Sequence, residues 1–117
     1  MSSQNDIGFK SFIASGAISA YTVVNVQTDG TIKASADNVK GIGILQEDAA
    51  DANYASVKLF SAPGTFMAAV SGSATTAATT YQVITGGYVG ASTGTAVFRA
   101  LSNGVASNGI IKEFTLV

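Results

Sequence analysis

Three carboxylates within five residues, Glu47-Asp48-Ala49-Ala50-Asp51, are the densest cluster of chemically capable side chains in this chain. A hard cation such as Ca²⁺ wants several oxygen ligands, and such a cluster could offer them. The spacing fits no EF-hand loop, and the glycine that loop requires is missing. The expectation is a solvated loop whose carboxylates cap a turn or meet Lys or Arg of a neighbouring subunit, with no metal and no cofactor. Gly41-Ile42-Gly43 opens like a dinucleotide-binding fingerprint, but Gln46 stands where the third glycine belongs and no βαβ unit follows. Serine and threonine are abundant, yet a hydroxyl nucleophile needs a base. Without His or Cys only Lys could serve, and no Lys stands in a recognisable Ser-Lys arrangement. No catalytic residue is assigned, and an enzyme is not expected.

Two further groups point to contacts rather than chemistry. Arg99, the single arginine, lies in the apolar run Ala96-Val97-Phe98-Arg99-Ala100-Leu101. It reads either as an outward-facing strand residue or as an interface anchor, since Arg is enriched at binding hot spots. Residues 1–6 are polar, and Ile7, Phe9 and Phe12 then bring sudden apolar weight. In strand geometry Ile7 and Phe9 share a face and Phe12 takes the other. This N-terminal arm, residues 1–12, either adds an edge strand to its own domain or pairs with a neighbour by β-augmentation. The neighbour is favoured, which makes Ile7, Phe9, Phe12 and Arg99 the candidate interface residues.

Composition narrows the partners. Six Lys/Arg against seven Asp/Glu give a net charge of −1 without a basic run. A nucleic-acid binder needs a cationic footprint to displace phosphate counterions, so none is expected. No stretch approaches the roughly 18 apolar residues of a membrane-spanning helix, and Met1–Asp6 lacks the basic start of a signal peptide. Synthesis and assembly in the cytoplasm are expected. Charged residues are only 11% of the chain, Ala, Gly, Ser and Thr fill nearly half of it, and the mean hydropathy is +0.36. A free monomer keeps itself soluble with charge. A surface this small-featured is readily desolvated, which suits a subunit covered on several sides.

The elements that must position these residues are strands. Apolar and β-branched runs bounded by Gly, Asn and Asp recur every 8–12 residues. They predict strands near Gly8–Ala14, Thr22–Thr28, Thr31–Ser35, Gly41–Gln46, Tyr54–Phe60, Thr65–Val70, Tyr81–Thr85, Tyr88–Ala91, Ala96–Leu101 and Gly109–Leu116. Asp29-Gly30 and Gly86-Gly87 mark two hairpins, with φ > 0 expected at both central positions. Pro63-Gly64 marks a turn in mid-chain. Only Asp48–Ala55 and Ser73–Thr80 could suggest helix, and the second is crowded with Thr, which loses rotamer freedom in a helix. The fold class is all-β, a small β-barrel or β-tulip-like domain spanning 13–117 behind the arm.

The two halves resemble each other, about 15–60 against 71–114. Ser15-Gly16-Ala17 answers Ser71-Gly72-Ser73, and Thr31-Ile32-Lys33-Ala34-Ser35 answers Tyr88-Val89-Gly90-Ala91-Ser92. Gly43-Ile44-Leu45 is set against Arg99-Ala100-Leu101, and Val57-Lys58-Leu59-Phe60 against Ile111-Lys112-Glu113-Phe114. The offset of about 54–57 residues is too long for a solenoid repeat and suits a duplicated motif closing one barrel.

The order of these segments resembles the small head decoration, or capsid cement, proteins of tailed bacteriophages. The residues that carry the resemblance are Ile42-Gly43-Ile44-Leu45-Gln46-Glu47-Asp48-Ala49, then Val57-Lys58-Leu59, and more weakly Gly109-Ile110-Ile111-Lys112. It covers about residues 12–117. Arg99, where that family usually has Gly, and the long Thr75–Thr80 run depart from the pattern. The resemblance implies a compact β domain on the outer capsid surface of the virion, bound to the major capsid protein, often as a homotrimer, without catalytic residues. The alternative is a fibre or adhesin-type recognition module. That reading would favour exposed aromatics, and the tyrosines Tyr21, Tyr54, Tyr81 and Tyr88 stand at strand starts, where packing is the commoner role.

Overall fold

The computed structural model describes residues 8–71, 75–91, 94–104 and 110–117. Ten strands run in chain order: β1 Phe9–Ile13, β2 Val23–Val26, β3 Ile32–Ala34, β4 Gly43–Leu45, β5 Tyr54–Leu59, β6 Phe66–Val70, β7 Thr80–Ile84, β8 Tyr88–Ala91, β9 Phe98–Ala100 and β10 Ile110–Leu116. All ten predicted strands are present, and no helix occurs among the described residues. The hairpins form, but as wider turns than expected. The Gln27 amide donates to the Thr31 carbonyl at 2.7 Å and the Gly30 amide to the Gln27 carbonyl at 2.9 Å. Within that loop Gly30 alone takes positive φ, at 86°. A turn followed by one left-handed glycine matches the right-handed strand twist without straining Asp29.

The first five strands form a sheet in the order β1-β5-β4-β2-β3, and the last five close into a barrel in the order β10-β6-β8-β7-β9. The two orders are the same once β1 is set on β6, β2 on β7, β3 on β8, β4 on β9 and β5 on β10. In the barrel, β6 and β8 pair in parallel at Val70–Val89. In the first sheet, the corresponding ends meet at one parallel bridge, Ala14–Ile32. The same amides act there: Ser15 donates to the Ile32 carbonyl at 2.9 Å and Ser71 to that of Val89 at 3.1 Å. Tyr21 and Ala78, both at positive φ (65° and 71°), donate to Leu45 and Ala100. The halves therefore share one strand order, and each pairs its own strands instead of contributing to one shared barrel.

Register corrects three details of the sequence comparison. Leu45 pairs with Val57 as Ala100 pairs with Phe114. Val57-Lys58-Leu59 is thus matched by Phe114-Thr115-Leu116, and Gly43-Ile44-Leu45 by Phe98-Arg99-Ala100. The repeat also begins earlier than residue 15. β1 lies antiparallel on β5, from Phe9–Lys58 to Ile13–Tyr54, as β6 lies on β10. The described part of the N-terminal arm is the first strand of the first half. Of the two expected arrangements, it takes the edge strand of its own sheet, because the last strand of each half needs a partner and β1 supplies it.

Two cores result. Ala14, Ile18, Val24, Ile32, Leu45, Ala55 and Val57 fill the first half, with Phe12 packed against them. The second core holds Phe66, Ala68, Val70, Tyr81, Val83, Val89, Phe98 and Phe114, together with Val23 and Ile44 from the first half. Successive residues of a strand face opposite ways. Val24 and Leu45 therefore fill their own half while Val23 and Ile44 fill the other. β4 and the Val23-Val24 end of β2 are therefore buried on both faces. Phe60 in the connection stacks edge-on to Phe66 and Phe98, with centroids 5.5 and 5.7 Å away. Burying each such ring contributes about 1.5–3 kcal/mol.

Candidate interaction surfaces

The acidic cluster is a set of loop caps. The Glu47 carboxylate accepts from the Ser56 amide at 2.9 Å, Asp48 from the Ala20 amide at 2.8 Å and Asp51 from the Gly16 amide at 2.7 Å. The carboxylates reach three separate backbone positions instead of converging on one point, and no group of three potential metal ligands occurs among the described residues. Asp48 and Asp51 tie the β4–β5 loop to the β1–β2 loop, and Glu47 closes the β4–β5 loop onto β5. The second half repeats the bond with a neutral acceptor: Asn103 Oδ1 accepts from the Ala77 amide at 2.9 Å.

The contact between the halves is polar at its edge and apolar within. Residues Tyr21–Val23 wedge into the seam where β6 and β8 share a single pair. The Ala69 amide donates to the Tyr21 carbonyl at 3.0 Å, and the Val23 amide to Gly87 at 2.8 Å. From the β3–β4 loop, the Asn38 amide donates to the Val83 carbonyl at 2.8 Å, and Asn38 Oδ1 accepts from the Thr95 amide at 2.7 Å. Lys58 crosses the contact with its Nζ 4.6 Å from the Phe66 ring centre and donates to the Thr65 carbonyl at 2.5 Å. The sequence marked Gly87 as a hairpin residue, Tyr21 as a strand-start aromatic and Lys58 as part of a strand motif, but assigned none of them to a contact between halves.

The expected interface residues separate. Phe12 is half-buried and packs on the first core. Phe9 is half-buried, paired with Lys58, whose Nζ lies 5.9 Å from its ring centre. Ile7 lies outside the described residues. Arg99 points outward from β9 and is exposed. Among the tyrosines, Tyr81 is buried and Tyr21 packs against the second core. Tyr54, 72% exposed, and Tyr88, 36% exposed, stand on different halves.

No protein-family description matches the sequence, and no curated protein matches it. Structure comparison does find a relative in shape. The N base of the head fibre gp8.5 of bacteriophage phi29 superposes with a TM-score of 0.77, covering 93% of this chain and 92% of that one at 15% identity. The two share a fold. At that identity the likeness extends to the paired halves and to nothing finer, so the outward-facing residues of this chain have to be read on their own.

Proposed function

We propose that this chain is a non-enzymatic structural protein of a tailed-phage head, bound to the outside of the shell as a decoration protein. The observation that carries the reading is the match over nearly the full length of both chains to a phage head-fibre base. The composition supports it: 11% charged residues with Ala, Gly, Ser and Thr at nearly half describe a surface that is readily covered. The proposed partner is the major capsid protein, and the proposed assembly is a homotrimer. Each copy adds contact area across seams between shell subunits, and many modest contacts together resist internal pressure. Phe9 and Arg99 are the described residues proposed to contribute to the contact with the shell.

The test is co-sedimentation of the protein with DNA-filled heads and its absence from purified tails. A protein found only in tails overturns the reading. A second reading, the base of a head fibre, is favoured by what the phi29 neighbour is. Copy number separates the two. Decoration requires many copies per head and heads that rupture at lower temperature without the protein. A fibre base requires few copies and no change in head stability.

A further inference from the structure

The duplication allows one row of outward residues to be compared with itself. In the first half, Val23 pairs with Ile44 and Ile44 with Lys58. This row faces the second half: Val23 and Ile44 are fully buried there, and Lys58 lies over Phe66. The same row in the second half is Thr80, Arg99 and Thr115, joined by the same pairings. Thr80 and Thr115 are half-buried and Arg99 is exposed. Two aliphatic side chains have become a hydroxyl and a guanidinium at the positions where the chain would otherwise accept another half. The receiving end differs in the same sense. Val83, beside the inter-half contact, is 1% exposed, and its first-half counterpart Val26 is 42% exposed.

We infer that Thr80 and Arg99 are a stop, which limits the stack to two halves by preventing a second copy of this chain from adding head-to-tail. A repeat fold with an uncapped stacking face propagates, because a heterologous contact that does not close gives an open fibre. Burying Arg99 under another copy would strand a charge without a partner, where Ile44 loses nothing by the same burial. The stop leaves this row free of self-association whatever the protein binds, so the inference stands apart from the proposed function.

The experiment replaces Thr80→Val and Arg99→Ile together, restoring the first-half pair, and measures mass against concentration by sedimentation. The wild-type species should hold its size while the double variant grows into larger assemblies with rising concentration. Adding Val26→Lys at the receiving end should return it to wild-type size. A double variant of unchanged size, or assemblies indifferent to Val26→Lys, overturns the inference. So does a wild-type protein that itself elongates. The reciprocal variant Ile44→Arg decides the matter should the double variant not fold. It should detach the halves and expose the connection at residues 60–65 to protease, and a connection as resistant as that of wild type overturns the inference.

Discussion

The amide of Val23 donates to the carbonyl of Gly87 at 2.8 Å, and a Cβ at position 87 would lie 2.4 Å from the carbonyl oxygen of Val23. The two backbones touch because Gly87, at φ 78°, carries no side chain. Its first-half counterpart, Gly30 at φ 86°, has open space around the same position. Gly87→Ala therefore combines left-handed strain with a backbone clash and should cost about 2–5 kcal/mol. Gly30→Ala should cost about 1 kcal/mol, from strain alone. Urea denaturation of the two variants measures the difference, which reports the inter-half contact. Equal losses would show that position 87 is not held against Val23.

Deleting residues 1–12 should disrupt the N-terminal half, because Phe9–Ile13 is the ladder partner of β5. Circular dichroism and a melting curve check this, and a truncated protein that melts like the full chain would return the segment to the role of a separable arm. The single substitution Phe12→Ala, which removes a half-buried ring from the first core, should cost about 1.5–3 kcal/mol.

Asp48→Ala should lower stability by about 1 kcal/mol, since it strips the cap from the Ala20 amide. Asp48→Asn should be near neutral, because an amide oxygen does the same work at Asn103. Millimolar calcium should leave the melting temperature unchanged, with the three carboxylates already turned onto three amides. A clear rise on adding calcium would restore the cation-site reading of Glu47, Asp48 and Asp51.

Asp29 is set up to respond to acid. The hydroxyl of Thr31, and then its amide, donate to the Asp29 carboxylate and hold its pKa below the ordinary 3.8. A depressed folded pKa adds stability that is fully present above the unfolded value and is lost as pH falls through the folded one. The effect should thus be confined to pH below about 4. An NMR titration should show Asp29 ionising below the ordinary 3.8, and Asp29→Asn should flatten that part of the acid-stability curve. A midpoint at or above the ordinary value would contradict the hydrogen bonds.

The strands and the places of the two hairpins were legible from the sequence alone, because each rests on local rules. Side-chain alternation and glycine's tolerance of positive φ act within a few residues of chain. What Val23, Ile44 and Arg99 do was not legible. Val23 and Val24 are the same residue type side by side, and only the packing of one half on the other sends one into each core. Ile44 and Arg99 occupy one position of the repeat, yet strand propensity and alternation allow either residue there. The difference between them is burial, one covered by the second half and the other facing outward, and burial comes from contacts between segments far apart in the chain. The N-terminal segment taught the same lesson: a short apolar run reads alike as a docking arm or as an edge strand, and the unpaired side of β5 decided between them.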